Sequence, residues 1–213
     1  MGFVIPFISV MLLNKKYKIL SLENCIYSYI IFLILFISFS KIVHLFIDFD
    51  MNSVTYLVSS DIIYRLKFIF SGYSFIGGYI GLLMAILIMS KIFKKDKIDI
   101  MTLYIPSILI MYSILKIGCY IKGCCYGLTN YPIQLIEVII NFIAFICVLY
   151  LMYKNRNKNI IVGLSFILFG SLRFVVSIFR VFASSYTLIF IELFCLFLIF
   201  LGIKIIRGKI INK

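Results

Sequence analysis

The sequence predicts an all-α, polytopic membrane protein with about seven transmembrane helices, the first of them short. Of its 213 residues, 64% are hydrophobic and 14% are charged, with a mean hydropathy of +1.16. Soluble domains average roughly 45–50% apolar and 25% charged residues. The apolar residues form runs of bilayer-spanning length, and basic clusters separate these runs. So few polar residues cannot build a water-facing shell, which excludes a soluble or disordered protein.

Seven apolar runs define the predicted helices. They are Phe3–Leu13, Cys25–Ile47, Phe68–Ser90, Ile100–Ile121, Ile133–Tyr153, Ile160–Phe179 and Leu188–Ile206. All but the first approach or exceed the ~20 residues that cross the hydrocarbon layer. The first reaches only about 16 Å as a helix and contains Pro6, so a half-crossing, an interfacial helix and the remnant of a longer span all remain open. No repeat or linker is visible, which predicts a single transmembrane helical domain over residues 1–213.

The net charge of +13 follows a topological pattern. Of the 21 Lys and Arg residues, 14 lie in four clusters between or after the apolar runs. The clusters are Lys15, Lys16, Lys18; Lys91, Lys94, Lys95, Lys97; Lys154, Arg156, Lys158; and Lys204, Arg207, Lys209, Lys213. The positive-inside rule then predicts an outside N-terminus and a cytoplasmic C-terminus, with Arg65 and Lys67 as the one outside pair that departs from it. Because the basic residues follow the topology, no nucleic-acid partner is expected.

Charged residues inside the apolar runs are the first candidates for function. Each costs several kcal/mol in hydrocarbon unless it faces the bundle interior or a wet cavity. They are Lys41, His44, Lys116, Glu137, Arg173 and Glu192. The alternative interpretation is a structural ion pair or a side chain that reaches the interface, and it is favoured for Lys41 and His44.

Two polar stripes are predicted near the outer ends of neighbouring helices. Arg173, Ser177 and Arg180 are spaced four and seven residues apart, which predicts that all three lie on one face of the same helix. Gln134 and Glu137 begin a similar stripe three residues apart, which Asn141 extends. Guanidinium groups match phosphate oxygens and stay charged, so an anionic head group is the expected partner of this cavity.

A segment rich in glycine and cysteine closes the fourth predicted helix. Gly118, Gly123 and Gly127 suit a non-helical loop that lines a cavity. Its cysteines, at 119, 124 and 125, could oxidise or bind metal. No metal site is expected, because the C-x4-C-C pattern lacks a C-x2-C pair and the single His lies on another predicted helix.

Four ordered motifs resemble the prolipoprotein diacylglyceryl transferase family. They are Ser-Phe-x-Gly-Gly at 74–78, the glycine-rich segment at 118–127, Pro-x-Gln-Leu-x-Glu at 132–137, and Gly-x-x-Arg-Phe-x-x-x-x-Phe-Arg at 170–180. The resemblance covers roughly Gly72 to Arg180. It implies seven spans and an active site that opens to the outer leaflet of a bacterial cell membrane.

The resemblance also implies a reaction. The diacylglyceryl group of phosphatidylglycerol is transferred to the cysteine thiol of a lipoprotein precursor, and glycerol phosphate leaves. The implied partners are therefore phosphatidylglycerol, a prolipoprotein and the membrane, with no cofactor.

The resemblance assigns roles to residues at matching positions. Arg173 is expected to hold the phosphate, Lys116 stands where the family usually has an Arg that contacts the head group, and Glu137 orients partners in the cavity; these three are the predicted catalytic residues. The predicted substrate-binding residues are Gly77, Gly78, Gly118, Cys119, Gly123, Cys124, Gly127, Gln134, Ser177 and Arg180.

The chain departs from the family pattern at several positions. Ile76 stands where the family commonly has His, Cys119 and Cys124 replace an Asn and an acid, and Ser177 replaces an acid. The first predicted span is also too short to carry the family's Tyr. Two alternatives therefore stay open, a catalytically inactive or repurposed lipid-binding paralogue and a small membrane transporter.

Overall fold

We describe the fold from a computed structural model, which describes residues 2–47, 62–63, 73–128, 131–154, 157–181 and 185–208. These ranges contain seven helices. They are α1 (Val4–Tyr17), α2 (Leu22–Ile47), α3 (Phe75–Ile92), α4 (Lys97–Lys122), α5 (Ile133–Tyr153), α6 (Lys158–Ile178) and α7 (Ser185–Ile206). Each apolar run of the sequence corresponds to one helix.

Six of these helices, α2 to α7, are long and apolar enough to cross a membrane. The prediction of an all-α, polytopic membrane protein with a short first helix is confirmed. Residues 48–61, which follow the second apolar run, lie outside the described residues, as does the start of the third apolar run. The same is true of Arg65, Lys67, Gly72, Arg156, Lys209 and Lys213. The orientation of the termini relative to the two sides of the membrane stays a prediction.

Backbone contacts divide the chain into two compact units. One comprises Met1–Cys25 with Phe93–Lys213, and the other comprises Ile26–Ile92. The single domain inferred from the sequence stays a prediction.

In the larger unit, α4 is the central helix. Its buried residues run almost without interruption from Ile98 to Ser113, as a helix that is apolar on all sides requires. The short α1 packs along it. The Ser9 and Ser107 hydroxyls are hydrogen-bonded at 3.0 Å, and a Cβ on Gly2 would lie 3.3 Å from Leu115. Consequently α1 lies antiparallel to α4, and the residues just before its start are level with Leu115.

Basic residues mark one end of this unit. The Lys158 ammonium, at the start of α6, forms an ion pair with Asp99 at the start of α4, with Nζ 2.5 Å from Oδ1. Lys16, near the end of α1, donates to the carbonyl of Met152 near the end of α5. Two of the predicted basic clusters, those that contain Lys16 and Lys158, therefore contribute to the same end, as the positive-inside pattern requires of cytoplasmic loops.

The smaller unit is held by close contact between α2 and α3. A Cβ on Gly77 would collide with the backbone of Phe39, and one on Gly81 with the backbone of Leu35. The Ser74 N–H donates to the Ser40 carbonyl at 3.0 Å just before α3 begins. Gly77 and Gly81, two small residues four positions apart, allow the two helix backbones to approach closely.

We expect Gly77→Ala to lower the free energy of unfolding by about 1–3 kcal/mol, because its Cβ has no space beside the rigid backbone of α2. Gly118→Ala is the matched control, since no atom lies within 4 Å of a Cβ at that position and Ala is the better helix former. Unfolding of both variants in detergent, followed by circular dichroism, measures the difference. Equal stability of the two variants would contradict the close crossing.

Candidate functional site

A single buried carboxylate organises the polar residues of the larger unit. Glu137 on α5 is 1% exposed, and its two oxygens are bound by different cations. The Lys116 ammonium lies 2.5 Å from Oε2, and Nη1 of Arg173 lies 2.5 Å from Oε1. Both cations are themselves buried. The structure therefore brings together the three residues that the sequence analysis proposed as catalytic.

The three helices place these side chains at a common depth. Lys116 lies six residues before the end of α4, Glu137 is the fifth residue of α5, and Arg173 lies five residues before the end of α6. At 1.5 Å per residue, each is about 6–9 Å from its helix end. All three ends lie opposite the end that Lys158 and Asp99 mark.

Tyr112 completes the cluster. Its hydroxyl donates to Oε1 of Glu137 at 3.1 Å, and its ring faces both cations, with the centroid 5.2 Å from Nζ of Lys116 and 5.7 Å from Cζ of Arg173. The ring of Phe169 packs edge-on against it at 5.3 Å. Tyr112 was not among the residues predicted from the sequence, although its position four residues before Lys116 places both on one face of α4.

The described ion pairs of this cluster join one carboxylate, Glu137, to two cations. The charge of Arg180 also acts on Lys116 and Glu137. Guanidinium and ammonium groups held close together in a buried site are suited to bind the oxygens of an anion such as a phosphate.

The loop after α4 begins at Gly123, seven residues after Lys116, and hydrogen bonds hold it in place. Gly123 ends the helix with φ of +64°, a left-handed conformation that glycine adopts without a Cβ penalty. The N–H of Cys124 then bonds the Cys119 carbonyl at 3.0 Å. Nε2 of the buried Gln134 donates to the Cys124 carbonyl at 2.7 Å. Gln134, at the start of α5, thus holds this loop in place.

The same loop pairs with the segment that follows α6. The N–H of Leu128 donates to the Phe179 carbonyl at 2.8 Å, and the N–H of Val181 donates to the Tyr126 carbonyl at 3.1 Å, so that Gly127 faces Arg180 across a short antiparallel bridge. A Cβ on Gly127 would lie only 3.2 Å from the Phe179 carbonyl. This pairing joins the segment after α4, the helix that carries Lys116, to the segment after α6, the helix that carries Arg173.

Arg180 differs from its predicted placement. The spacing predicted Arg180 on the same helical face as Arg173, two turns further along. That prediction is wrong, because α6 ends at Ile178 and Arg180 lies beyond the helix. The backbone bridge, and not a continued helix, sets its position. Its charge nevertheless reaches the cluster.

Three thiols lie together at this end of α4. The Sγ atoms of Cys119, Cys124 and Cys125 are all within 4.8 Å of one another, and none of these residues forms a disulfide. All three are half-buried. In the loop, the neighbouring Cys119 thiol and the charges of Lys116 and Arg180 lower the pKa of Cys125, against the opposing effect of burial.

The remaining predicted residues take other positions. Ser177 is fully buried, and its hydroxyl donates to the Phe174 carbonyl of its own helix at 2.7 Å. Gly118 lies within helix α4, and not in the predicted non-helical loop; it is exposed, with open space beside it. Gly77 and Gly78 belong to the smaller unit, where α2 fills the space next to them. The participation of these four residues in substrate binding stays a prediction.

Comparisons with known proteins give a consistent result. The sequence profile of the family described as prolipoprotein diacylglyceryl transferase matches residues 1–207. Similar curated proteins include those named phosphatidylglycerol-prolipoprotein diacylglyceryl transferase from Francisella tularensis subsp. novicida (strain U112) and from subsp. holarctica (strain LVS). Each is 29% identical over 126 residues, which covers 51% of this chain and 47% of the relative. The chain thus spans about half the length of the curated relatives it matches.

Proposed function

This chain belongs to the prolipoprotein diacylglyceryl transferase family, and we propose that it transfers the diacylglyceryl group of phosphatidylglycerol to a cysteine thiol of a lipoprotein precursor. The observation that carries the proposal is the convergence of two buried cations, Lys116 and Arg173, on Glu137. A phosphodiester head group is the anion that a membrane supplies in quantity at this depth. Guanidinium and ammonium groups are suitable ligands for its oxygens.

The reaction requires stabilisation of a departing phosphate. The thiolate sulfur attacks a glyceryl carbon, a carbon–sulfur bond forms, and the bond between that carbon and the phosphate oxygen breaks. The electron pair of the broken bond stays on the phosphate, which leaves as glycerol phosphate with one additional negative charge. Cations placed beforehand around that oxygen lower the barrier, because the charge develops beside them in a site of low dielectric constant.

The described residues suggest a division of roles. Arg173 binds the phosphate, and Lys116 provides a second positive charge from the opposite side of Glu137. Glu137 and Tyr112 hold the two cations in fixed positions, so that little reorganisation is needed during the reaction. Arg180, on the bridged segment, assists where the head group enters.

We place the reaction at the outer leaflet of a bacterial cell membrane. The cation cluster lies near the helix ends opposite the basic end of its unit, and the positive-inside rule assigns the basic end to the cytoplasm. The lipid head group and the precursor cysteine would then meet on the outer side.

A transfer assay tests the proposal. Proteoliposomes that contain the full chain and phosphatidylglycerol labelled in its acyl chains are incubated with a peptide bearing a lipobox cysteine. We expect label on the peptide and an equal release of glycerol phosphate, and no label on a control peptide in which Ala replaces that cysteine.

The same preparation distinguishes the alternatives. Binding of phosphatidylglycerol without label on the peptide, by protein shown to be folded, would overturn the proposed activity and identify a lipid-binding paralogue. Flux of a small solute across the vesicles without transfer would instead identify a transporter.

A further inference from the structure

Three thiols form a compact group beside the cation cluster. The Sγ atoms of Cys119 and Cys125 are 4.0 Å apart, and Cys124 brings all three within 4.8 Å. A tetrahedral zinc ion, with Zn–S bonds of about 2.3 Å, holds its sulfur ligands about 3.8 Å apart. The observed separations therefore need adjustments of only about 1 Å to match those of zinc ligands.

From this geometry we infer that Cys119, Cys124 and Cys125 bind one zinc ion, whose fourth coordination position receives the thiol of the acceptor peptide. Thiolate ligands select soft metal ions over magnesium or calcium. Three protein ligands and an open fourth position are typical of catalytic zinc, whereas structural zinc takes four protein ligands.

The inference rests on the proposed function and explains how that reaction obtains a thiolate. Ile76, an apolar side chain that is 2% exposed, stands where the resemblance expects His, so this position supplies no base. Coordination to zinc deprotonates a thiol at neutral pH. The acceptor thiol releases its proton to water as it binds the metal, and its sulfur then forms the carbon–sulfur bond. No oxidant or reductant is required.

The charges around the thiols are compatible with this assignment. A zinc ion with three thiolates carries one net negative charge, which needs cations nearby if it is half-buried. Cys119 lies one helical turn after Lys116 on α4. Arg180 faces Gly127, two residues after Cys125, across the backbone bridge. A thiol bound to the metal therefore lies beside the cations to which we assign the phosphate.

Metal content provides the first test. The full chain, reduced and purified in detergent, is loaded with Zn²⁺, dialysed and analysed for bound metal. We expect one Zn²⁺ per chain, and an affinity at least tenfold lower when Ser replaces Cys119, Cys124 or Cys125. Cys147→Ser is the matched control, because Cys147 is exposed on α5 and outside the group.

Cobalt substitution tests the open coordination position. The Co²⁺ form should show thiolate charge-transfer absorption and tetrahedral ligand-field bands. The lipobox peptide should strengthen the charge-transfer band as a fourth thiolate binds, and the peptide with Ala in place of Cys should leave it unchanged. Both measurements are independent of turnover.

The outcomes separate this inference from the proposed function. A wild-type chain that retains no zinc, serine variants that bind it as well as Cys147→Ser, or a stable disulfide among the three thiols in protein isolated from membranes would each overturn the metal site. Bound zinc and a spectral response to the peptide, without lipid transfer, would support the metal site and overturn the transferase activity. Transfer that continues unchanged after complete removal of zinc would overturn the catalytic role of the metal alone.

Discussion

Arg173→Ala is expected to lower the rate of diacylglyceryl transfer by about 10²–10³-fold, the usual cost of removing one group that stabilises transition-state charge. Nη1 of Arg173 is held 2.5 Å from Glu137, and its guanidinium is buried against Tyr112, so the charge is preorganised for an anion. The measurement is the initial rate of label transfer from phosphatidylglycerol to the peptide, at equal amounts of folded protein.

Two variants control this experiment. Arg207→Ala removes an exposed arginine from the basic end of the same unit and should leave the rate unchanged. Arg173→Lys keeps the charge but loses the bidentate geometry, so we expect an intermediate rate. The fold should survive Arg173→Ala, because Glu137 keeps its ion pair with Lys116. A well-folded Arg173→Ala protein with the wild-type rate would remove this residue from the mechanism.

Glu137→Gln is expected to lower the free energy of unfolding by about 3–5 kcal/mol. The substitution removes the carboxylate shared by Lys116 and Arg173 and leaves two buried cations close together without it. Unfolding in detergent measures the loss.

The ion pair at the other end of the unit is the matched comparison. Asp99→Asn breaks the pair with Lys158, whose partners are 25% and 37% exposed, and should cost at most about 1 kcal/mol. Phosphatidylglycerol should restore more stability to Glu137→Gln than to Asp99→Asn, because its phosphate replaces the missing negative charge. Equal losses in the two variants would show that Glu137 does not hold the cations together.

Glu137 contributes both to the stability of this unit and to its proposed chemistry. It neutralises part of the positive charge of Lys116 and Arg173, which lowers the free-energy cost of burying these cations when no lipid head group is bound. We expect the phosphate of a lipid to bind the same two cations. A second carboxylate in place of Lys116 would repel that anion.

Much of the site was predictable from single residues. Each of Lys116, Glu137 and Arg173 is costly in hydrocarbon, so its presence inside an apolar run indicated an interior position without any knowledge of its neighbours. The contribution of Tyr112 was not predictable in this way, because a tyrosine in an apolar run is as suited to a core as to a cation cluster. The three thiols were judged by their spacing along the chain, which says nothing about how the chain folds back after Gly123.

The sequence by itself determined that this protein lies in a membrane, where its helices run and which residues must avoid lipid. These properties depend on transfer free energies and hydrogen bonding along one segment, which add residue by residue. Only the tertiary structure decided that one carboxylate serves two cations, that Arg180 reaches the cluster through a backbone bridge, and that three cysteines share one small volume. Such arrangements depend on which helix ends meet, and packing between segments distant in sequence determines that.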